Sequence, residues 1–107
     1  MPVTLVSVVK GRSSEQKQAL LEAVQAAIAS GLKINPADRY IRLAEHGPDE
    51  WLLPEGKSAA FTLVEIALFE GRTPETKGAL YQAIVEAVDT VGVAKSDVFI
   101  RLIEQPR

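Results

Sequence analysis

Pro2 and a set of arginines hold most of the chemistry this sequence offers. Pro2 stands directly behind Met1. If Met1 is removed, Pro2 carries a free secondary amine. A free α-amine has a reference pKa of about 7.7–8.0. Burial and neighbouring cations lower it, so such an amine can serve as a general base near neutral pH. Left charged, it is a proton donor instead. The plainer role for Pro2 is as a tolerated first residue of a strand. Arg12 and Arg72 follow Gly11 and Gly71 in matching Gly-Arg pairs. A guanidinium grips a carboxylate through two parallel hydrogen bonds, which suits a keto-acid substrate, although turn arginines are also common surface residues. Asp38 stands ahead of Arg39-Tyr40, and a carboxylate can stabilise a nearby cation or orient a water. It can equally be an ordinary residue at the entry to a strand. His46 is the only histidine and there is no cysteine, so no metal site or thiolate chemistry is expected.

These residues recur in a pattern. Gly11-Arg12 answers Gly71-Arg72, and Glu15, Lys17, Ala19, Leu20, Ala23 and Ala27 meet identical residues sixty positions later. After a one-residue slip, Asp38 answers Asp97, and Ile41-Arg42-Leu43 answers Ile100-Arg101-Leu102. The chain is a tandem duplication. Unit one covers 1–45, a loop covers 46–60, and unit two covers 61–107, together forming one domain of 107 residues.

Each unit reads as strand, helix, strand. Apolar strands are predicted at 3–9 and 61–69, helices at 14–31 and 74–91, and closing strands at 39–45 and 98–104. Ser13 with Gln16 has capping-box spacing, and Thr73 is followed by Pro74 at a first helical position. Leu20, Leu21, Val24 and Ile28 share one helical face, as do Leu80, Tyr81, Ile84, Val88 and Val91. Gly31 and Gly92 fall where left-handed helix caps favour glycine. The expected fold is α/β (α+β): a tandem β-α-β duplication with parallel strands inside each unit and right-handed crossovers. Its four-stranded sheet carries two helices on one face. The first and third strands look apolar on both faces, so the uncovered face calls for self-association.

The Met-Pro start, the Gly-Arg nine residues after the proline, and the stretch "KGRSSEQKQALLEAVQAAI" resemble the tautomerase superfamily, including the short 4-oxalocrotonate tautomerases. The duplicated length, "PADRYIRLAEHGPDEW" and "ALFEGRTPETKGALY" are more similar to its two-unit members, malonate semialdehyde decarboxylase and the cis-3-chloroacrylic acid dehalogenases. The resemblance covers essentially the whole chain. It implies catalysis by Pro2 after loss of Met1, no cofactor or metal, and sheets packed together in a homotrimer. It implies carboxylate binding by Arg12, at the position of the short tautomerases' arginine, and by Arg72, at the second arginine of the decarboxylase's Arg-Pro-Arg segment. Asp38 matches the decarboxylase's assisting aspartate, and Trp51 an aromatic pocket wall. Two positions depart from these patterns. Glu70 replaces the first arginine of the decarboxylase segment, and Tyr40 stands where short tautomerases carry a second-strand arginine. Arg42, two residues on and on the same strand face, is a substitute. Its twin Arg101 makes a structural ion pair the simpler role for both.

Composition narrows the remainder. The formal net charge is -2, so no global field draws the chain to nucleic acid or anionic lipid. No apolar run approaches the roughly 20 residues that span a bilayer, and no secretory leader is evident. The expectation is a cytoplasmic protein acting on a small carboxylate. The leading reaction is enol–keto proton transfer with Pro2 as base. Decarboxylation or hydration of a malonate semialdehyde-like acid is the alternative, and a catalytically weak trimeric protein is the third reading.

Overall fold

A computed structural model describes residues 2–107. Fate and placement of Met1 lie outside the described residues. The elements are β1 (Val3–Val9), α1 (Ser14–Leu32), β2 (Ile41–His46), β3 (Thr62–Phe69), α2 (Pro74–Asp89) and β4 (Val98–Gln105), with short 3-10 turns at Pro48–Glu50 and Lys95–Asp97. The sheet order is β2-β1-β3-β4. β1 runs parallel to β2 and β3 parallel to β4, while β1 and β3 are antiparallel.

The register makes the duplication geometric. Thr4 pairs with Ile66 and Val6 with Val64, so Leu5 stands opposite Glu65, sixty residues away. A pseudo-twofold axis therefore passes through that pair. Thr4 opposite Ile41 is repeated as Val64 opposite Ile100. Lys17 bonds Glu45 at 3.1 Å, and Lys77 repeats it with Glu104 at 2.9 Å.

Local chemistry fixes both helix starts. The Ser13 hydroxyl accepts from the Gln16 N–H at 3.1 Å, and the Gln16 side chain accepts from the Ser13 N–H at 2.8 Å. In α2 the Thr73 hydroxyl accepts from the Thr76 N–H at 3.1 Å, with Pro74 opening the helix. These bonds satisfy N–H groups that the first turn leaves without partners. Both helices cover one sheet face. Leu20, Val24 and Ile28 meet Leu80, Ile84 and Val88 over Val6, Val8, Val64 and Ile66.

Four expectations change. Gly31 lies inside α1, and it is Lys33 that takes the left-handed cap, with φ 55°. Gly31 instead marks the helix crossing, where a Cβ would come within 3.1 Å of the Leu80 backbone. α2 stops at Asp89, two residues short of the predicted end, while Gly92 keeps its expected left-handed cap, φ 93°, with the Val93 N–H donating to the Val88 carbonyl at 3.0 Å. Tyr81 stays 37 % exposed, outside the buried stripe. The face away from the helices is less apolar than expected. Glu65 lies on it and pairs with Arg101 of β4 at 3.5 Å, among exposed Val3, Phe69, Phe99 and Ile103.

Candidate active site

Strand direction decides which residues meet. Pro2 is buried at the start of β1. β2 runs parallel to β1, so its entry residues Asp38 and Tyr40 lie at Pro2's end. The Thr4 N–H donates to the Tyr40 carbonyl at 2.8 Å. β3 runs antiparallel, so its exit, with Glu70 and Arg72, reaches the same end. Arg72 is held by a bond from Nη1 to the Phe69 carbonyl at 3.2 Å. Its cleft, about 380 Å³, is lined by Gly31, Leu32, Lys33, Thr76 and Glu75.

Arg12 and Trp51 do not share that end of the chain. Arg12 follows the exit of β1, and at about 3.3 Å per residue the strand carries it roughly 20 Å from Pro2. Its Nη2 donates to the Ala60 carbonyl at 3.3 Å. Burial lowers the pKa of this guanidinium, with the Glu45 carboxylate opposing the effect. Trp51 packs edge-on against His46 and Phe61, at centroid distances of 5.7 and 5.8 Å. Within one chain, Arg72 takes the place at Pro2's end that sequence position alone also offered to Arg12.

Arg42 lies on the open sheet face, exposed and opposite Leu5. It lines a shallow groove of about 210 Å³ with Val3, Glu65 and Ile103. Tyr40, 51 % exposed, lines a neighbouring groove with Val3 and Arg39. The ion pair expected of the strand arginines is present for Arg101, while Arg42 has none among the described residues.

The two repeat-related aspartates differ. Asp97 is buried and accepts from the Ser58 N–H at 2.8 Å and from the Ser58 hydroxyl at 2.5 Å. Those hydrogen bonds hold its carboxyl below the usual range, against the opposing effect of burial. Asp38 is half-buried, and its carboxylate accepts no hydrogen bond among the described residues. The Ser58 clasp had no sequence signal, because the serine sits in the inter-unit loop, outside the repeat. No cluster of three metal-ligating side chains occurs among the described residues.

Two sequence profiles, both described as "Tautomerase enzyme", match residues 38–107 and 2–60. The chain belongs to the tautomerase superfamily. This tautomerase-family enzyme is 39 % identical over 51 residues to "Probable tautomerase BH3814" of Halalkalibacterium halodurans, a match covering 48 % of this chain and 84 % of that one. Among solved structures it is similar to FG41 malonate semialdehyde decarboxylase inhibited by 3-bromopropiolate. The identity is 31 %, the TM-score is 0.90, and 97 % of this chain and 83 % of that one are covered. It is also similar to a symmetric trimer of the fused 4-OT Q0, at 30 % identity and TM-score 0.86, covering 97 % of this chain and 85 % of that one. The β-α-β-β-α-β tandem is thus a 4-oxalocrotonate tautomerase-like fold.

Proposed function

We propose that this tautomerase-family enzyme moves a proton between oxygen and carbon of a small enol or 2-keto acid, with Pro2 as the base after loss of Met1. One observation supports the reading: Pro2 is buried at the sheet end where the entry to β2, which follows Asp38, and the exit of β3, which precedes Arg72, also lie. Burial disfavours the charged amine, as does the Arg72 cation, so a neutral base is available. Arg72 holds the substrate carboxylate and stabilises the enolate charge that develops at the neighbouring carbonyl. Pro2 takes the proton from one site and returns it at the other, leaving the amine as it began. Asp38 stabilises the Pro2 ammonium while it holds the proton. Tyr40 and Arg42, at the start of β2, border the site on its β2 side. No cofactor takes part.

The exposed apolar residues of that face support a homotrimer with sheets packed together, as does the similarity to fused 4-OT trimers. No helix among the described residues is long and apolar enough to cross a membrane, and cytoplasmic placement belongs to the same reading.

A second reading has its own support in the likeness to malonate semialdehyde decarboxylase and in the unengaged Asp38 carboxylate. A cationic Pro2 then polarises the aldehyde of a semialdehyde-type acid, and carbon dioxide leaves or water adds. Mass spectrometry of the mature N-terminus comes first, since retained Met1 makes Pro2 an amide and rules out both. Wild type and Pro2→Ala are then assayed on phenylpyruvate enol and on malonate semialdehyde. Activity lost on the enol alone supports the first reading, and loss on the semialdehyde alone the second.

A further inference from the structure

Arg12 lies away from Pro2, yet its surroundings repeat those of Arg72. A shift of sixty residues carries Arg12 onto Arg72 and Gln16 onto Thr76. The same shift carries Gly31 and Leu32, which line the Arg72 cleft, onto Val91 and Gly92, which line the Arg12 cleft. The two clefts are alike in size, about 370 Å³ at Arg12 and about 380 Å³ at Arg72.

Charge separates them. Lys10 precedes the Gly-Arg pair at the Arg12 end, whereas Glu70 precedes it at the other. A second cleft of about 310 Å³ shares Val9, Lys10 and Ala59 with the first and continues past Lys57 to Leu53 and Trp51. Arg12 and Lys10 thus border a trough with apolar walls, beside Lys57, whose ammonium donates to the Ser96 carbonyl at 2.6 Å. The nearby acid, Glu45, is engaged by Lys17 at 3.1 Å. Arg12 uses one of its five N–H donors on the Ala60 carbonyl, and the fork still has donors for a carboxylate. Thr62 holds the position equivalent to Pro2, and its hydroxyl donates to the Ala60 carbonyl at 2.9 Å. This end therefore has the anion-binding parts without the amine base.

We propose that the joined clefts at Arg12 form a second, non-catalytic site for a small monocarboxylate with a short apolar chain. The carboxylate sits on Arg12 and Lys10, and the chain points toward Leu53 and Trp51.

The sequence contains one tryptophan, and it stands at this end, so intrinsic fluorescence reports on this cleft. The intact protein is titrated with butyrate, with sodium chloride at matched ionic strength as control. A saturable, butyrate-specific change is expected. It should persist within about twofold in Arg72→Ala and Pro2→Ala, because distant sites act independently. It should weaken at least about tenfold in Arg12→Ala, and clearly in Arg12→Lys, which keeps the charge but loses the fork. Should Arg12→Ala fail to fold, Arg12→Lys and Lys10→Ala decide: wild-type affinity in both overturns the proposal. So does the absence of a butyrate-specific change in wild type, or its loss in Arg72→Ala. Because Pro2→Ala is expected to bind normally, failure of the catalytic reading leaves this one standing.

Discussion

Ser58 clasps Asp97 through both its backbone N–H and its hydroxyl, at 2.8 and 2.5 Å. The bonds tie the inter-unit loop to the entry of β4. Asp38, at the repeat-equivalent position, is left without such a clasp among the described residues. One aspartate is thereby committed to structure and the other is available to a ligand.

Removing the clasp should be felt in stability and in its pH dependence. Ser58→Ala deletes one hydrogen bond to a buried carboxylate, a loss of about 1–3 kcal/mol. The Ser58 bonds lower the Asp97 pKa in the folded state. Their contribution is therefore full above the unfolded carboxyl value of about 3.9 and is lost as pH falls through the folded value. Denaturant melts should show the largest gap between wild type and variant at neutral pH, narrowing in acid. An equal gap at pH 7 and pH 3 would contradict this assignment.

The two matching arginines should separate in kinetics. Losing a charged donor at a developing enolate typically costs about 100-fold or more in kcat. Arg72→Ala should fall by about that much in kcat/KM on the active substrate. Arg12→Ala should stay within about threefold. Steady-state kinetics on the assembled protein measure both, and a larger loss at Arg12 would place the carboxylate at the wrong end of the sheet.

Glu70 should work against substrate binding. It stands beside Arg72 in the Glu-Gly-Arg turn, where its charge opposes an incoming carboxylate. Glu70→Gln should lower KM a few-fold, on the order of 0.5–1 kcal/mol for a solvated charge, and the gain should shrink as salt is added. An unchanged KM at low ionic strength would show that Glu70 points away from the site.

Glycine substitutions in the two helices should have opposite signs. A Cβ at Gly78, inside α2, meets nothing within 4 Å. Gly78→Ala should therefore gain about 0.5–1 kcal/mol of helix propensity. A Cβ at Gly31 comes within 3.1 Å of both the Cα and the Cδ1 of Leu80, a fully buried residue that cannot withdraw. Overpacking costs about 1–3 kcal/mol, which outweighs the propensity gain. Thermal melts should rank Gly78→Ala above wild type and Gly31→Ala below it.

Much of this architecture is legible in the sequence because the repeat states it twice. Gly-Arg, the Ser13 and Thr73 caps, and the Ile-Arg-Leu strands each appear with a partner at a fixed offset. That correspondence overrides the weakness of any single signal. Gly31 was misleading because glycine near a helix end also serves close packing, and only the position of Leu80 distinguishes the two uses. Arg12 was ambiguous for a different reason. Its local motif equals that of Arg72, and the antiparallel pairing of β1 with β3 alone decides which arginine lies at Pro2's end of the sheet. Ser58 and Trp51 lie in the loop between units, where no counterpart exists to mark their roles.

The Leu5–Glu65 pairing has an experimental consequence. Since the two halves superpose through it, each residue at the Pro2 end has a counterpart held by the same backbone, in the same molecule and at the same concentration. Arg72 can be compared with Arg12, Thr76 with Gln16, Asp38 with Asp97. A variant made at one position can be read against the equivalent variant at the other, so that general damage to the scaffold separates from an effect on chemistry. The duplication provides each test of the Pro2 end with its own matched control.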